Sequence, residues 1–310
     1  MAKDKITVVG AGNVGATTAH IAATRRLGQI VLLDIVEGLA EGKALDMAEA
    51  SPIYGSDQNV VGTTDWARTA GSDVVIVTSG MPRKAGMSRD DLLATNAKIV
   101  KAVSEQIARH CPNAFVIVVC NPLDAMVYAT AKTTGFPKQR VTGMAGALDS
   151  ARFCYFLASE LDVCVEDVHC VLMGGHGDDM VPLPRFTSVS GIPIAQLLDA
   201  SKIDELIERT RKGGIEVVHL LGFSAYYAPA AGAVQMAEAI LRDKKQVFSC
   251  CAYCETEYRA DGQFVGVPAV LGKEGVERII ELDLNRSEQV QFDESLAHVK
   301  ELVAKVDGIL

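Results

Sequence analysis

The sequence predicts an α/β fold in which a doubly wound parallel sheet is followed by a second, mixed α+β domain. Three observations carry this expectation. Short, near-continuous apolar runs alternate with amphipathic stretches through the first half of the chain. A glycine-rich turn joins the first run to the first helical stretch. Beyond about residue 145 the alternation gives way to strand-like segments set between longer helical patterns.

The apolar runs are Ile6–Val9, Ile30–Leu33, Val74–Thr78 and Phe115–Val119. A strand in a parallel sheet is covered by helices on both faces, so it carries apolar residues without alternation. Between the runs lie Val14–Arg26 and Asp90–Arg109, each apolar along one helical face. Strands and helices in strict succession give βαβ units and a parallel sheet. The second half opens with a helical stretch over Leu148–Leu161. Strand-like segments follow at Val168–Met173, Thr187–Val189, Val247–Tyr253 and Phe264–Val267. Helical patterns over Ile203–Gly222 and Ala230–Arg242 separate them. From Ser287 onward, Leu296, Val299, Leu302, Val303 and Val306 line one helix face. The expected domains are residues 1–145 and 146–310.

Bulk properties exclude several function classes. A chain of 310 residues with 49% hydrophobic and 22% charged residues is long enough to bury a core. That balance fits neither disorder nor a coiled coil. The net charge of −9 repels nucleic acid and anionic membranes unless a basic patch offsets it. Arg25-Arg26 and Lys244-Lys245 are isolated pairs and make no such patch. No nucleic-acid or membrane partner is expected, and an anionic substrate requires a local cluster of cations. The apolar stretch Ala114–Cys120 is too short to cross a bilayer. Met1–Lys5 leads directly into a strand rather than a signal-peptide core, so a cytoplasmic location is expected.

The chain has eight cysteines. Cys111, Cys120, Cys154, Cys164 and Cys170 lie in apolar stretches and read as packed, reduced thiols. Cys250, Cys251 and Cys254 fall on one strand, where positions three apart face opposite ways. No metal site is expected there, because no second Cys/His pair lies at zinc spacing.

Gly10-Ala11-Gly12-Asn13-Val14-Gly15 is a G-x-G-x-x-G between a strand and a helix, the context that gives this motif its meaning. Gly10 permits the tight turn, Gly12 lets a pyrophosphate approach the backbone, and Gly15 allows helix to pack on strand. The helix N-terminus offers free N–H groups and the positive end of its dipole. Asp34 ends the next strand, about 20 residues on, where an acid reads both ribose hydroxyls and repels a 2′-phosphate. The first domain is therefore expected to be a Rossmann domain that takes NAD rather than NADP.

Among six histidines, His176 stands apart. It lies in Met173-Gly174-Gly175-His176-Gly177-Asp178, a loop after a strand whose glycines leave the imidazole accessible. Oxidation of an alcohol by hydride transfer needs a base for the hydroxyl proton, and histidine suits neutral pH. Asp149 is the candidate carboxylate partner. Arg152 follows it by three residues, so both project from one helix face. One face then orients the base and grips a substrate carboxylate bidentately. Considered alone, such an Asp–Arg pair is more often a surface salt bridge. Gly80 to Asp91 is a basic, glycine-containing segment after a strand end, suited to closing as a lid. Ser88 and Asp91 fit a capping box for the next helix. Arg83 and Arg89 complete the cation cluster when the lid closes. Asn121, in Val119-Cys120-Asn121-Pro122-Leu123-Asp124, ends a parallel strand at the ligand-binding edge.

Together these motifs resemble the lactate/malate dehydrogenase family, and within it the malate dehydrogenases of the lactate-dehydrogenase-like type. The likeness covers essentially the whole chain. It rests on Gly10–Gly15, Asp34, Pro82–Arg89, Asn121–Asp124, Leu148–Arg152 and Gly174–Asp178, in that order. The resemblance implies that His176 exchanges the proton with Asp149 as its partner. It implies that Arg152 binds the carboxylate common to the family's substrates and that Arg89 polarises the reacting carbonyl. Asn121 is implied to contact substrate, with Val119, Cys120 and Asn121 beside the nicotinamide and Asn96 near the cofactor. Arg83 stands at the position where the family's lactate dehydrogenases carry glutamine and its malate dehydrogenases carry arginine. NAD as cofactor, malate and oxaloacetate as substrates, and a dimer or tetramer as assembly are further implications. Ala85 departs from the usual proline in the lid, and the cysteine cluster is no feature of the family. The alternatives are a lactate or other 2-hydroxyacid dehydrogenase, against which Arg83 argues, and a non-catalytic NAD-binding protein. The latter predicts loss of at least one of His176, Asp149, Arg152 and Arg89, and all are present.

Overall fold

In a computed structural model of the chain, residues 4–55, 59–81 and 89–310 are described. The four apolar runs of the first half form β1 (Lys5–Val9), β2 (Gln29–Leu33), β4 (Val74–Val77) and β5 (Phe115–Val118), and two further strands, β3 (Val60–Thr63) and β6 (Val141–Gly143), join them. All pair in parallel, in the order β3-β2-β1-β4-β5-β6. Between them run α1 (Asn13–Thr24), α2 (Leu39–Ala50), α3 (Arg89–His110) and α4 (Leu123–Thr134). This is the doubly wound order, in which ligands sit outside the carboxyl ends of the strands where the order reverses. Register sets that edge: Val9 pairs with both Leu33 and Val77, and Val77 with Val118. Gly10, Asp34, Thr78 and Val119 therefore emerge side by side.

Strand side chains alternate between two apolar layers. Ile6, Val8, Val74 and Ile76 enter one, and Val9, Val75, Val77, Val116 and Val118 enter the other. Burial on both faces explains why these strands carry apolar residues without alternation.

The second half begins with α5 (Ala145–Leu161). Next come β7 (Val168–His169), β8 (Leu172–Gly174), β9 (Met180–Pro182), β10 (Ser188–Val189) and β11 (Ile192–Pro193). Helices α6 (Ala200–Leu221) and α7 (Tyr227–Leu241) precede β12 (Gln246–Cys254), β13 (Gln263–Gly272) and β14 (Gly275–Ile279), and α8 (Arg286–Asp307) closes the chain. The segment expected as one strand over Val168–Met173 is two: β7 joins a small sheet with β10 and β11, and β8 joins the large one. The large sheet continues from β6 through β12 and β13 to β8 and β9.

Glycines allow close strand pairing where the halves meet and within the second half. Gly143 of β6 pairs with Cys251 of β12, and Gly266 of β13 with Gly174 of β8. A Cβ on Gly266 would lie 2.2 Å from the Gly174 carbonyl oxygen, so only glycine fits. This contact sets the end of β8, and with it His176, beside the parallel sheet.

Cys250 and Cys254 enter one apolar layer and Cys251 the other, as alternation on a strand requires. Cys164 departs from the expectation of a packed thiol. It follows Asp162, a left-handed residue at φ 52° that ends α5, and it is exposed.

Candidate active site

The glycine turn is fixed from several sides. Gly10 adopts φ +100°, a conformation that favours glycine, and its N–H donates to the Leu33 carbonyl at 2.7 Å. The Thr78 hydroxyl lies 3.0 and 3.1 Å from the Val9 and Gly10 carbonyls and holds the turn to β4. A Cβ on Gly15 would sit 1.7 Å from the Gly10 oxygen, so α1 packs on the turn only with glycine there. Gly12 caps α1 without a side-chain bond, and a Cβ on it would meet nothing within 4 Å. The first-turn N–H groups of Asn13, Val14 and Gly15 have no carbonyl partner within their helix.

Asp34 accepts the Ala11 N–H at 2.6 Å and the Val36 N–H at 3.0 Å, one on each oxygen. Each oxygen keeps a lone pair for a hydroxyl. Lys43, on α2, donates its ammonium to the Ala11 carbonyl at 2.6 Å. An uncapped helix end beside open space and a carboxylate with free lone pairs fit a diphosphate and a ribose diol, so these residues fit NAD.

At the next strand end, Val119 donates to the Val77 carbonyl at 2.9 Å, Cys120 is buried and Asn121 is exposed. Asn96 is buried on α3 and its amide is fully engaged. It accepts the Met81 N–H at 2.7 Å and donates to the Met81 and Asn121 carbonyls at 3.2 and 2.6 Å. Asn96 thus ties the start of the lid segment to the strand end that carries Asn121. Residues 82–88 of the lid, Arg83 and the capping Ser88 among them, lie outside the described residues, as does the Arg89 side chain.

Three of the expected residues converge. The His176 Nδ1 lies 2.8 Å from one oxygen of Asp149, and the other oxygen lies 3.3 Å from the Arg152 guanidinium. Asp149 is buried at 2% exposure, whereas the His176 side chain keeps 20%, enough to meet a ligand. An ionised carboxylate only accepts, so Nδ1 carries the hydrogen and Nε2 is the nitrogen left for substrate. Burial by itself pushes the imidazole pKa down. The Asp149 charge and hydrogen bond, aided by Asp124, outweigh that, and the net direction is up.

Several supporting residues carry no isolated signal in the sequence. The His176 N–H donates to the Asp124 carboxylate at 3.1 Å. Asp124 is buried in the first turn of α4, where burial raises its pKa against the lowering effect of the His176 N–H and the Cys251 thiol. Gly175 donates to the Ser295 hydroxyl of α8 at 2.8 Å, fixing the loop from the other side. Gly213 and Gly214 sit inside α6, where each glycine costs about 1 kcal/mol relative to alanine. A Cβ on Gly213 would lie 3.2 Å from the Arg152 Cδ, so the pair leaves a channel for that arginine. Paired glycines within an amphipathic helix were the available signal.

The arrangement can hold a dinucleotide along one sheet edge and present a hydrogen-bonded imidazole and a guanidinium to a small anion beside it. Known proteins place this arrangement. Residues 4–143 match the model of the lactate/malate dehydrogenase NAD binding domain, and residues 146–308 match that of the alpha/beta C-terminal domain. A malate dehydrogenase from Rhodopirellula baltica is 59% identical over 313 aligned residues, covering 100% of this chain and 99% of the relative. The apo malate dehydrogenase of Picrophilus torridus superposes with a TM-score of 0.97 at 46% identity, covering 99% of this chain and 98% of its own. A Cryptosporidium parvum lactate dehydrogenase, solved with lactic acid and nicotinamide adenine dinucleotide, superposes at 0.96 with 43% identity and 99% coverage of both chains. The backbone is thus common to enzymes named for either substrate. With both halves matched and full-length relatives above half identity, the chain belongs to the lactate/malate dehydrogenase family.

Proposed function

We propose that the chain is an NAD-dependent malate dehydrogenase that interconverts (S)-malate and oxaloacetate. The His176–Asp149–Arg152 arrangement beside a dinucleotide-binding sheet edge carries the reading as a 2-hydroxyacid dehydrogenase, and Arg83 with a malate dehydrogenase relative at 59% identity supports malate as the substrate. When bound, NAD supplies the hydride acceptor. In malate oxidation, neutral His176 accepts the hydroxyl proton at Nε2, and Asp149 stabilises the resulting imidazolium through Nδ1. Arg152 grips the carboxylate beside the reacting carbon. Arg89 polarises the carbonyl oxygen and Arg83 pairs with the second carboxylate when the lid closes. In the reverse direction, protonated His176 donates to the carbonyl oxygen.

Assembly as a dimer or tetramer is supported by exposed apolar side chains: Leu220 at 80% and Tyr227 at 67% on α6 and α7, and Ile53 at 85% beyond α2. Such side chains are available to an association surface. No helix among the described residues is long and apolar enough to cross a membrane.

The purified chain should reduce NAD with (S)-malate and not with (S)-lactate at comparable concentration. Absence of malate-dependent reduction overturns the reading.

Cofactor choice rests on Asp34. Asp34→Ser should weaken NAD use through loss of the ribose contacts and of the bond to Ala11, and it should raise relative NADP use. The expected shift in the NAD/NADP ratio of kcat/KM is about tenfold or more, the size of one hydrogen bond to a charged group. An unchanged ratio would mean that Asp34 does not read the ribose.

A further inference from the structure

Two cysteines outside the proposed chemistry meet directly behind it. Cys154 lies on α5, two residues beyond Arg152. Cys170 lies between β7 and β8, six residues before His176. Their sulfurs are 2.8 Å apart, at the rim of an apolar cluster that includes Phe153, Leu157, Val168 and Leu172. Both residues are partly exposed, so a small reagent can reach them. The other thiols differ. Cys164 is exposed, whereas Cys111, Cys120, Cys250, Cys251 and Cys254 are buried.

We propose that Cys154 and Cys170 form an oxidisable dithiol whose disulfide tethers α5 to the start of β8 and slows turnover. The contact between the sulfurs holds one thiol's pKa down and drives the other's up, so one of the pair attacks as the thiolate while the other keeps its proton. The oxidant is a small hydroperoxide. The thiolate of the pair displaces an alkoxide or hydroxide from the O–O bond and becomes a sulfenic acid, and the displaced group takes up a proton. The neighbouring thiol sulfur then attacks the sulfenic sulfur, its proton leaves with the hydroxyl as water, and the S–S bond forms. Overall, two thiols lose two hydrogens and two electrons while the hydroperoxide becomes an alcohol and water. A dithiol reductant reverses the step by exchange.

The disulfide matters to the site because of which elements it joins. The Asp149–His176 bond spans the same junction, from α5 to the loop after β8. Closing the sulfurs from 2.8 Å to a bonded distance of about 2.05 Å, with the restricted torsions of a disulfide, restrains the two elements against each other. A misplacement of about 1 Å costs on the order of 10²-fold in rate. Spread over several residues, the expected loss in kcat/KM is about tenfold.

The test treats the full-length protein, saturated with NAD, with hydrogen peroxide and then maps its peptides without reduction. The expected product is a peptide linking Cys154 to Cys170 in a protein of monomer mass on a non-reducing gel. Oxaloacetate reduction should fall about tenfold and return with dithiothreitol. Cys154→Ser and Cys170→Ser should each lose both the linkage and the inhibition, while Cys164→Ser behaves as wild type. Separate alkylation of Cys154 and Cys170 after oxidation overturns the proposal, as does a linked peptide with an unchanged rate. The rate readout rests on the active-site reading above. The peptide map does not, so failure of either is recognised on its own.

Discussion

Asp149→Asn should keep its fold and lower kcat by about 10²-fold or more, the scale of a positioned acid–base contribution. The carboxylate is buried and serves both neighbours, with one oxygen on His176 Nδ1 and the other on Arg152. An asparagine amide fills the same space without the charge. Its NH2 can also donate to Nδ1, which would stabilise the tautomer with the hydrogen on Nε2 and block proton acceptance from malate. The pH dependence has a defined sign. Asp149 is the largest influence raising the His176 pKa, so its loss should lower that pKa. Oxaloacetate reduction needs the imidazolium, which is present below the His176 pKa and lost as pH rises through it. The alkaline limb of kcat/KM for reduction should therefore move to lower pH in the variant. Stopped-flow measurement of both directions across pH checks this. Near-normal turnover with an unmoved limb would remove Asp149 from the mechanism.

Arg83→Gln should lower kcat/KM for oxaloacetate by at least about two decades, while pyruvate activity rises or falls far less. Oxaloacetate differs from pyruvate by a second carboxylate. In a closed, poorly hydrated site that charge requires a cation, because an unpaired buried carboxylate is costly. With pyruvate, the same arginine would be enclosed without a counter-charge, so closure is disfavoured and the wrong substrate rejected. A hydrogen bond to a charged group contributes roughly 1.5–3 kcal/mol. Two such bonds plus the rejection give about 10³-fold or more at about 1.4 kcal/mol per decade. The backbone offers no substitute for this argument, since named malate and lactate dehydrogenases superpose on the chain almost equally well. An oxaloacetate-to-pyruvate ratio within about threefold of wild type, under 1 kcal/mol, would show that Arg83 is not the selector.

Much of the fold was legible because its strands are buried on both faces. The expected run Ile6–Val9 and the observed Lys5–Val9 differ by one residue. Helix α4 gave no comparable signal. Leu123–Thr134 is buried almost throughout, so its apolar residues follow no single face. The break between β7 and β8 was also hidden, because Val168-His169-Cys170-Val171-Leu172-Met173 is apolar nearly without interruption and only pairing separates the two strands. At the candidate site, glycines around His176 and the three-residue spacing of Asp149 and Arg152 are local patterns. The bond from His176 to Asp124 joins residues 52 positions apart, and the thiol contact joins the middle of α5 to the link between β7 and β8. Such contacts exist in tertiary structure alone.

Substrate identity is the central claim, and NADH oxidation by the wild-type chain tests it most directly. The measurement is kcat/KM for oxaloacetate and for pyruvate, with a blank lacking either. The predicted result is an oxaloacetate preference of about 10³-fold or more, the discrimination argued for Arg83. Equal use of the two substrates, or a preference for pyruvate, would contradict the account.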